Sequence, residues 1–146
     1  MDHRKLAASL ATSLLLASSA MAASRAEAPD SRIASDFAAW AGGRQNAHAL
    51  VAGLHNGTSI TLATPGPNHT MSLAGFTPGA PMGYDDVRSA LAAARGTLSR
   101  LGVRHPTAEQ IQAALIGGEI ELAHGRTRML PGTVAVLGGN PNVATR

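Results

Sequence analysis

At 146 residues, with 45% apolar side chains, 14% charged side chains and no cysteine, the chain is the size of one ordinary domain. The missing cysteine excludes disulfide bracing, a thiol nucleophile and a lipid-anchored N-terminus. The formal charge of +3 looks basic, but Asp2, Arg4 and Lys5 fall in the first segment; the rest carries ten arginines against eight acids. Those arginines are scattered and lack interleaved aromatics, which excludes nucleic acid as a partner class.

Residues 1–22 read as a secretory signal peptide. Arg4 and Lys5 form a positive start, Leu10 and Leu14–Leu16 an apolar centre, and Ala20-Met21-Ala22 a small-residue cleavage site before Ala23. The uncharged run is diluted by Ser and Thr, unlike the 20 or so mostly apolar residues of a spanning helix. No later stretch suits a transmembrane segment, so the expected location is the periplasm or the medium.

Residues 23–32 are small and polar and read as a flexible lead to a single domain over 33–137. Ile33, Phe37, Trp40 and Ala41 recur at helical spacing until Gly42-Gly43. Ala47, Leu50, Val51 and Leu54 mark a second helix, stopped at Asn56-Gly57. Ser59–Thr64 and Thr70–Ala74 alternate as two strands around a Pro65-Gly66-Pro67-Asn68 turn. Tyr84–Leu101 is the clearest helix: Val87, Leu91, Ala94, Leu98 and Leu101 form one apolar stripe, with Asp85 and Asp86 at its start and Arg100 near its end. Thr107 and Gln110 spell a capping box for a helix containing Ile111, Ala114 and Leu115. Glu119–Ala123 and Arg126–Leu130 form a second hairpin around His124-Gly125, Thr133–Leu137 a further strand, and 138–146 a flexible tail. The whole is an α+β fold of three to four helices on a small antiparallel sheet of two hairpins, with a helix–hairpin pseudo-repeat offset by 60 or 61 residues.

Chemistry is less legible. His48, His55, His69, His105 and His124 offer no i, i+4 pair; His48 and His55 lie seven apart, roughly 10 Å along one helix, so no metal site is expected. Neighbouring helical carboxylates diverge by about 100°, so Asp85 and Asp86 do not face one substrate. There is no nucleophile elbow and no phosphate-binding glycine motif. No catalytic residues are assigned and no cofactor is expected. The expectation is a small exported binding or envelope-associated structural protein with an unidentified protein or envelope partner. The alternative is an exported hydrolase with a His-containing site.

Asn46-Ala47-His48-Ala49-Leu50-Val51-Ala52-Gly53-Leu54, Pro81-Met82-Gly83-Tyr84…Val87 and Pro106-Thr107-Ala108-Glu109-Gln110-Ile111-Gln112-Ala113-Ala114-Leu115 carry a resemblance over residues 36–130. The chain resembles a group of small, uncharacterised exported proteins of proteobacteria with N-A-x-x-L-V-x-G-L, M-G-[YW]-G-x-V and P-T-x-x-Q-x-x-A-A-L segments. Asp85 replaces a glycine common in that group, and the tail lacks a second M-G-W-G segment. The resemblance implies export and a shared fold, and no activity.

Overall fold

A computed structural model describes residues 27–135. The signal segment, the start of the lead and the tail over 138–146 lie outside the described residues. Four helices and four strands follow in order: α1 (Pro29–Phe37), α2 (Arg44–Asn56), β1 (Ile60–Pro65), β2 (Met71–Phe76), α3 (Tyr84–Arg100), α4 (Ala108–Ile116), β3 (Gly118–Glu121) and β4 (Thr127–Leu130). This is an α+β fold with helices packed on small antiparallel sheets. No described helix is long and apolar enough to cross a membrane.

α1 begins inside the segment read as a lead. Pro29 at its start needs no hydrogen-bond acceptor for a missing N–H, and Asp30 sits favourably in the first turn. Its buried face, Ile33, Ala34 and Phe37, joins Trp40 just beyond the helix end. α2 ends at Gly57 in the left-handed conformation (φ 68°), where the sequence pattern put the stop. In α3, the buried residues are Val87, Ala90, Leu91, Ala94 and Leu98; the stripe read from spacing holds for Val87, Leu91, Ala94 and Leu98, whereas Leu101 lies just past the helix end and is only partly buried. At the start of α4, Thr107 Oγ1 accepts from the Gln110 N–H and Gln110 Oε1 accepts from the Thr107 N–H, completing the capping box.

Each hairpin is its own two-stranded sheet, β1 with β2 and β3 with β4, both antiparallel. They do not join into one sheet, and amide side chains explain much of this. Asn46 Nδ2 donates to the Ala63 carbonyl (2.8 Å) and Oδ1 accepts from the Ala63 N–H (3.2 Å), so one side chain occupies both groups where a further strand would pair with β1. Gln112 Nε2 donates to the Gly75 carbonyl of β2, and Gln110 Nε2 to the Glu121 carbonyl of β3. α4 therefore ties the two hairpins together through side chains.

The first hairpin turns later than its Pro-Gly-Pro-Asn stretch suggests. β1 runs through Pro65, and Asn68 (φ 56°) and His69 (φ 60°) are the left-handed central residues, closed by Thr70 N–H donating to Pro67 O. That is the primed geometry that suits hairpin twist, and Asn tolerates it. The second hairpin turns at His124 (φ 66°) and Gly125 (φ 68°), as read from the sequence. Gly66 N–H to Thr70 O in one loop and Leu122 N–H to Arg126 O in the other repeat the same closure. The order helix, glycine, strand, turn, strand thus occurs twice, with α3 between the copies. Residues 133–135 form no strand; Thr133 and Val134 instead donate backbone hydrogen bonds to Leu115 O.

Candidate functional site

Of the described histidines, His48 and His55 line one cavity and the others stand apart. His69 and His124 occupy the two hairpin turns. His48 is exposed on α2 and shares a cavity of about 280 Å³ with Asp30, His55 and Tyr84. There the His55 ring stacks on Tyr84, with centroids 3.9 Å apart and planes 9° apart, and His55 Nδ1 bonds the Met82 carbonyl at 2.8 Å. A carbonyl accepts only, so Nδ1 carries the proton and the ring pins the start of α3 against α2. Among the described residues, no histidine hydrogen-bonds a carboxylate or hydroxyl, and no group of three His, Asp or Glu side chains is spaced to hold a metal ion. Asp85 and Asp86 lie in the first turn of α3, as expected.

A different cavity, of about 340 Å³, lies where α1, the turn after it, the last turns of α3 and the 103–105 loop meet. The fold fixes its wall first. Phe37 and Trp40 are 2% and 6% exposed and pack edge to face, with centroids 6.1 Å apart. Phe37 lies at the end of α1, and Trp40 follows in the turn that Ala41 N–H to Phe37 O and Gly43 N–H to Ala38 O hold closed. Trp40 and Val103 give the cavity its apolar side.

Its polar side is dominated by donors. Arg95 sits with its guanidinium carbon 4.6 Å from the Phe37 ring centroid, a cation–π contact that anchors the charge at the rim. Arg104 and His105 approach from the loop and Ser99 from α3. The lone carboxylate of the lining, Asp36, is 3.2 Å from Arg88 on the outside, with both side chains about half exposed. Neither Arg95 nor Arg104 has a carboxylate within ion-pair distance among the described residues. The Trp40 Nε1–H lies below the accessible surface, and neither it nor the buried Ser72 hydroxyl has a hydrogen-bond partner among the described residues. Leaving a buried donor unmatched costs about 1 to 3 kcal/mol.

From the sequence alone Trp40 is a core residue and Arg95 and Arg104 belong to the scattered surface charge; of the lining, His105 alone is among the histidines weighed as metal ligands. The two sides of the cavity are more than 50 residues apart in the chain, so no spacing pattern marks them. The one local signal is a buried-type aromatic with a polar atom, at a point where a helix has just ended.

A second surface is apolar. On the outer face of the first hairpin Met71 and Leu73 are 60% and 63% exposed, opposite Pro65 and Ala63. No family model, curated protein or solved structure matches the chain.

Proposed function

We propose that the chain is an exported binding protein whose recognition site is the Trp40 cavity, and that its ligand is a small anion. The observation that carries this reading is a cavity with Trp40 and Val103 on one side and Arg95 and Arg104 on the other, neither arginine having a carboxylate within ion-pair distance among the described residues. A negative charge bound there would meet Arg95 and Arg104. Charge-assisted hydrogen bonds of this kind are the stronger sort and give geometric specificity. The volume, about 340 Å³, is near the small end of the range for metabolite sites, roughly 300 to 1,000 Å³.

The hydrolase alternative needs a base beside a nucleophile. His55, the best-held imidazole, has Nδ1 committed to a backbone carbonyl and its face to Tyr84. Export rests on the positive, apolar and small-residue order of the first 22 residues. The resemblance to exported proteobacterial proteins points the same way; its Asn46 and Gln110 serve the fold and not the cavity. Expression in a bacterial host should give a product starting at Ala23 by intact mass; retention of Met1 would contradict export.

Thermal unfolding in a panel of small anions at low ionic strength tests the binding reading. Ligand at 100 times its Kd adds about 2.7 kcal/mol, so one class of anion should raise Tm in the wild type. The same anion should leave the Arg95→Gln, Arg104→Gln double variant unchanged. No shift with any anion, or a shift that survives in the double variant, contradicts the reading.

A further inference from the structure

The end of α3 and strand β4 enclose another cavity, of about 430 Å³, which shares no residue with the Trp40 site. Its apolar wall is open to solvent. Strand alternation sends Leu130 into the core, 5% exposed, and leaves its neighbour Met129 62% exposed. Leu101, half-buried just past α3, and the exposed Pro131 continue that wall. Methionine is unbranched and adapts to varied apolar surfaces, and covering such a side chain is favourable because apolar surface leaves water.

The remainder of the lining is positive. Arg100 and Arg128 both border the cavity, and Arg100 Nη2 donates to Thr97 Oγ1 (3.2 Å), which holds that guanidinium on the cavity wall. No acid lines this cavity; Glu119 and Glu121 of β3 line a separate one. Neither Arg100 nor Arg128 has a carboxylate within ion-pair distance among the described residues. The carbonyl end of α3 contributes a partial charge of about −0.5, which two guanidinium groups outweigh. From this pairing of exposed hydrocarbon with uncompensated positive charge we infer that the cavity holds a single-chain anionic amphiphile. Its hydrocarbon chain covers Met129, Leu101 and Pro131, and its oxyanion head meets Arg100 and Arg128. A bare anion would leave the methionine wall wet, and a neutral chain would gain nothing from the two charges. Guanidinium groups bind oxyanions by charge-assisted hydrogen bonds.

The mature chain is titrated by isothermal calorimetry at low ionic strength with monomeric decanoate, with acetate and with decyltrimethylammonium. Decanoate is expected to bind at least about tenfold more tightly than either of the others. Acetate equal to decanoate removes the role of the apolar wall, decyltrimethylammonium equal to decanoate removes the role of charge, and either overturns the inference. So does the absence of decanoate binding. Arg100→Gln with Arg128→Gln should weaken decanoate binding at least about tenfold, and Met129→Gln, at an exposed position, severalfold. Arg95→Gln with Arg104→Gln should leave it unchanged. Loss in that last variant alone assigns decanoate to the Trp40 cavity and overturns this site without touching the other. Two further occupants are read in parallel. Cosedimentation with phosphatidylglycerol vesicles without binding of monomeric decanoate assigns the surface to a membrane. A dimer by light scattering that Met129→Gln dissociates assigns it to a second copy of the chain. Either result overturns the inference.

Discussion

Asn46 is the residue on which most of the polar interior depends. It is 7% exposed, and its amide donates to Ala41 O and Ala63 O while accepting from Ala63 N–H. An aspartate keeps the acceptor and turns a carboxylate oxygen toward the two carbonyls. Asn46→Asp is therefore expected to cost several kcal/mol, at least the 1 to 3 kcal/mol of one unmatched buried group. Burial and the facing carbonyls raise the folded pKa of the new acid above its unfolded value near 3.9. The folded state then binds the extra proton, so stability falls as pH rises between the two values, and denaturant melts should show the variant weaker at pH 7 than at pH 4. A pH-independent loss would contradict the carbonyl contacts. His69 makes the converse case. It holds φ 60° without being glycine, whereas the equivalent place in the second hairpin is Gly125. A left-handed non-glycine residue costs about 1 kcal/mol, partly offset by the greater freedom of unfolded glycine. His69→Gly should raise stability by about 0.5 to 1 kcal/mol by urea unfolding, and a loss would place the turn elsewhere.

At the level of elements, the periodic parts were legible and the joins were not. The stripe in α3, the Thr107–Gln110 capping box and the His124-Gly125 turn follow from local rules of spacing and backbone preference, which act over a few residues. Whether two hairpins share a sheet is decided by long-range partners. Here Asn46, Gln110 and Gln112 supply side-chain bonds to strand backbone, so the hairpins stay apart. The first turn moved because Pro65 can end a strand while Asn68 accepts the left-handed region better than a proline pair can direct it. Two mid-helix glycines show how packing overrides propensity. A Cβ on Gly53 of α2 would run into the Ile60 side chain, whereas a Cβ on Gly96 of α3 meets only Arg100 Nη1 at 3.8 Å. Gly96→Ala should stabilise by about 0.5 to 1 kcal/mol, and Gly53→Ala should destabilise by about 1 to 3 kcal/mol. Equal effects in chemical denaturation would contradict the close crossing of α2 and β1.

Across the whole molecule, two helix–hairpin units and the α3 helix between them build one continuous core from Ile33 to Leu130. The cavity lies outside the duplicated parts, at the junction of α1, the Trp40 turn and the C-terminal end of α3. That location explains why composition and motifs do not mark it: the motif segments supply hydrogen bonds to the fold, and the cavity is lined by isolated residues that meet only after folding. Scattered arginines already have a sufficient cause in surface solvation, and one buried tryptophan already has one in the core. Only their meeting at one cavity, with no carboxylate within ion-pair distance of either arginine among the described residues, separates Trp40, Arg95 and Arg104 from those ordinary roles. Because the chain has a single tryptophan, one indole N–H resonance in a proton–nitrogen correlation spectrum reads that claim directly. The resonance should shift as the anion that raises Tm is added to the wild type, and stay fixed in the Arg95→Gln, Arg104→Gln double variant. A resonance that does not move at saturating anion, or that moves equally in the double variant, would contradict the assignment of this cavity as the binding site.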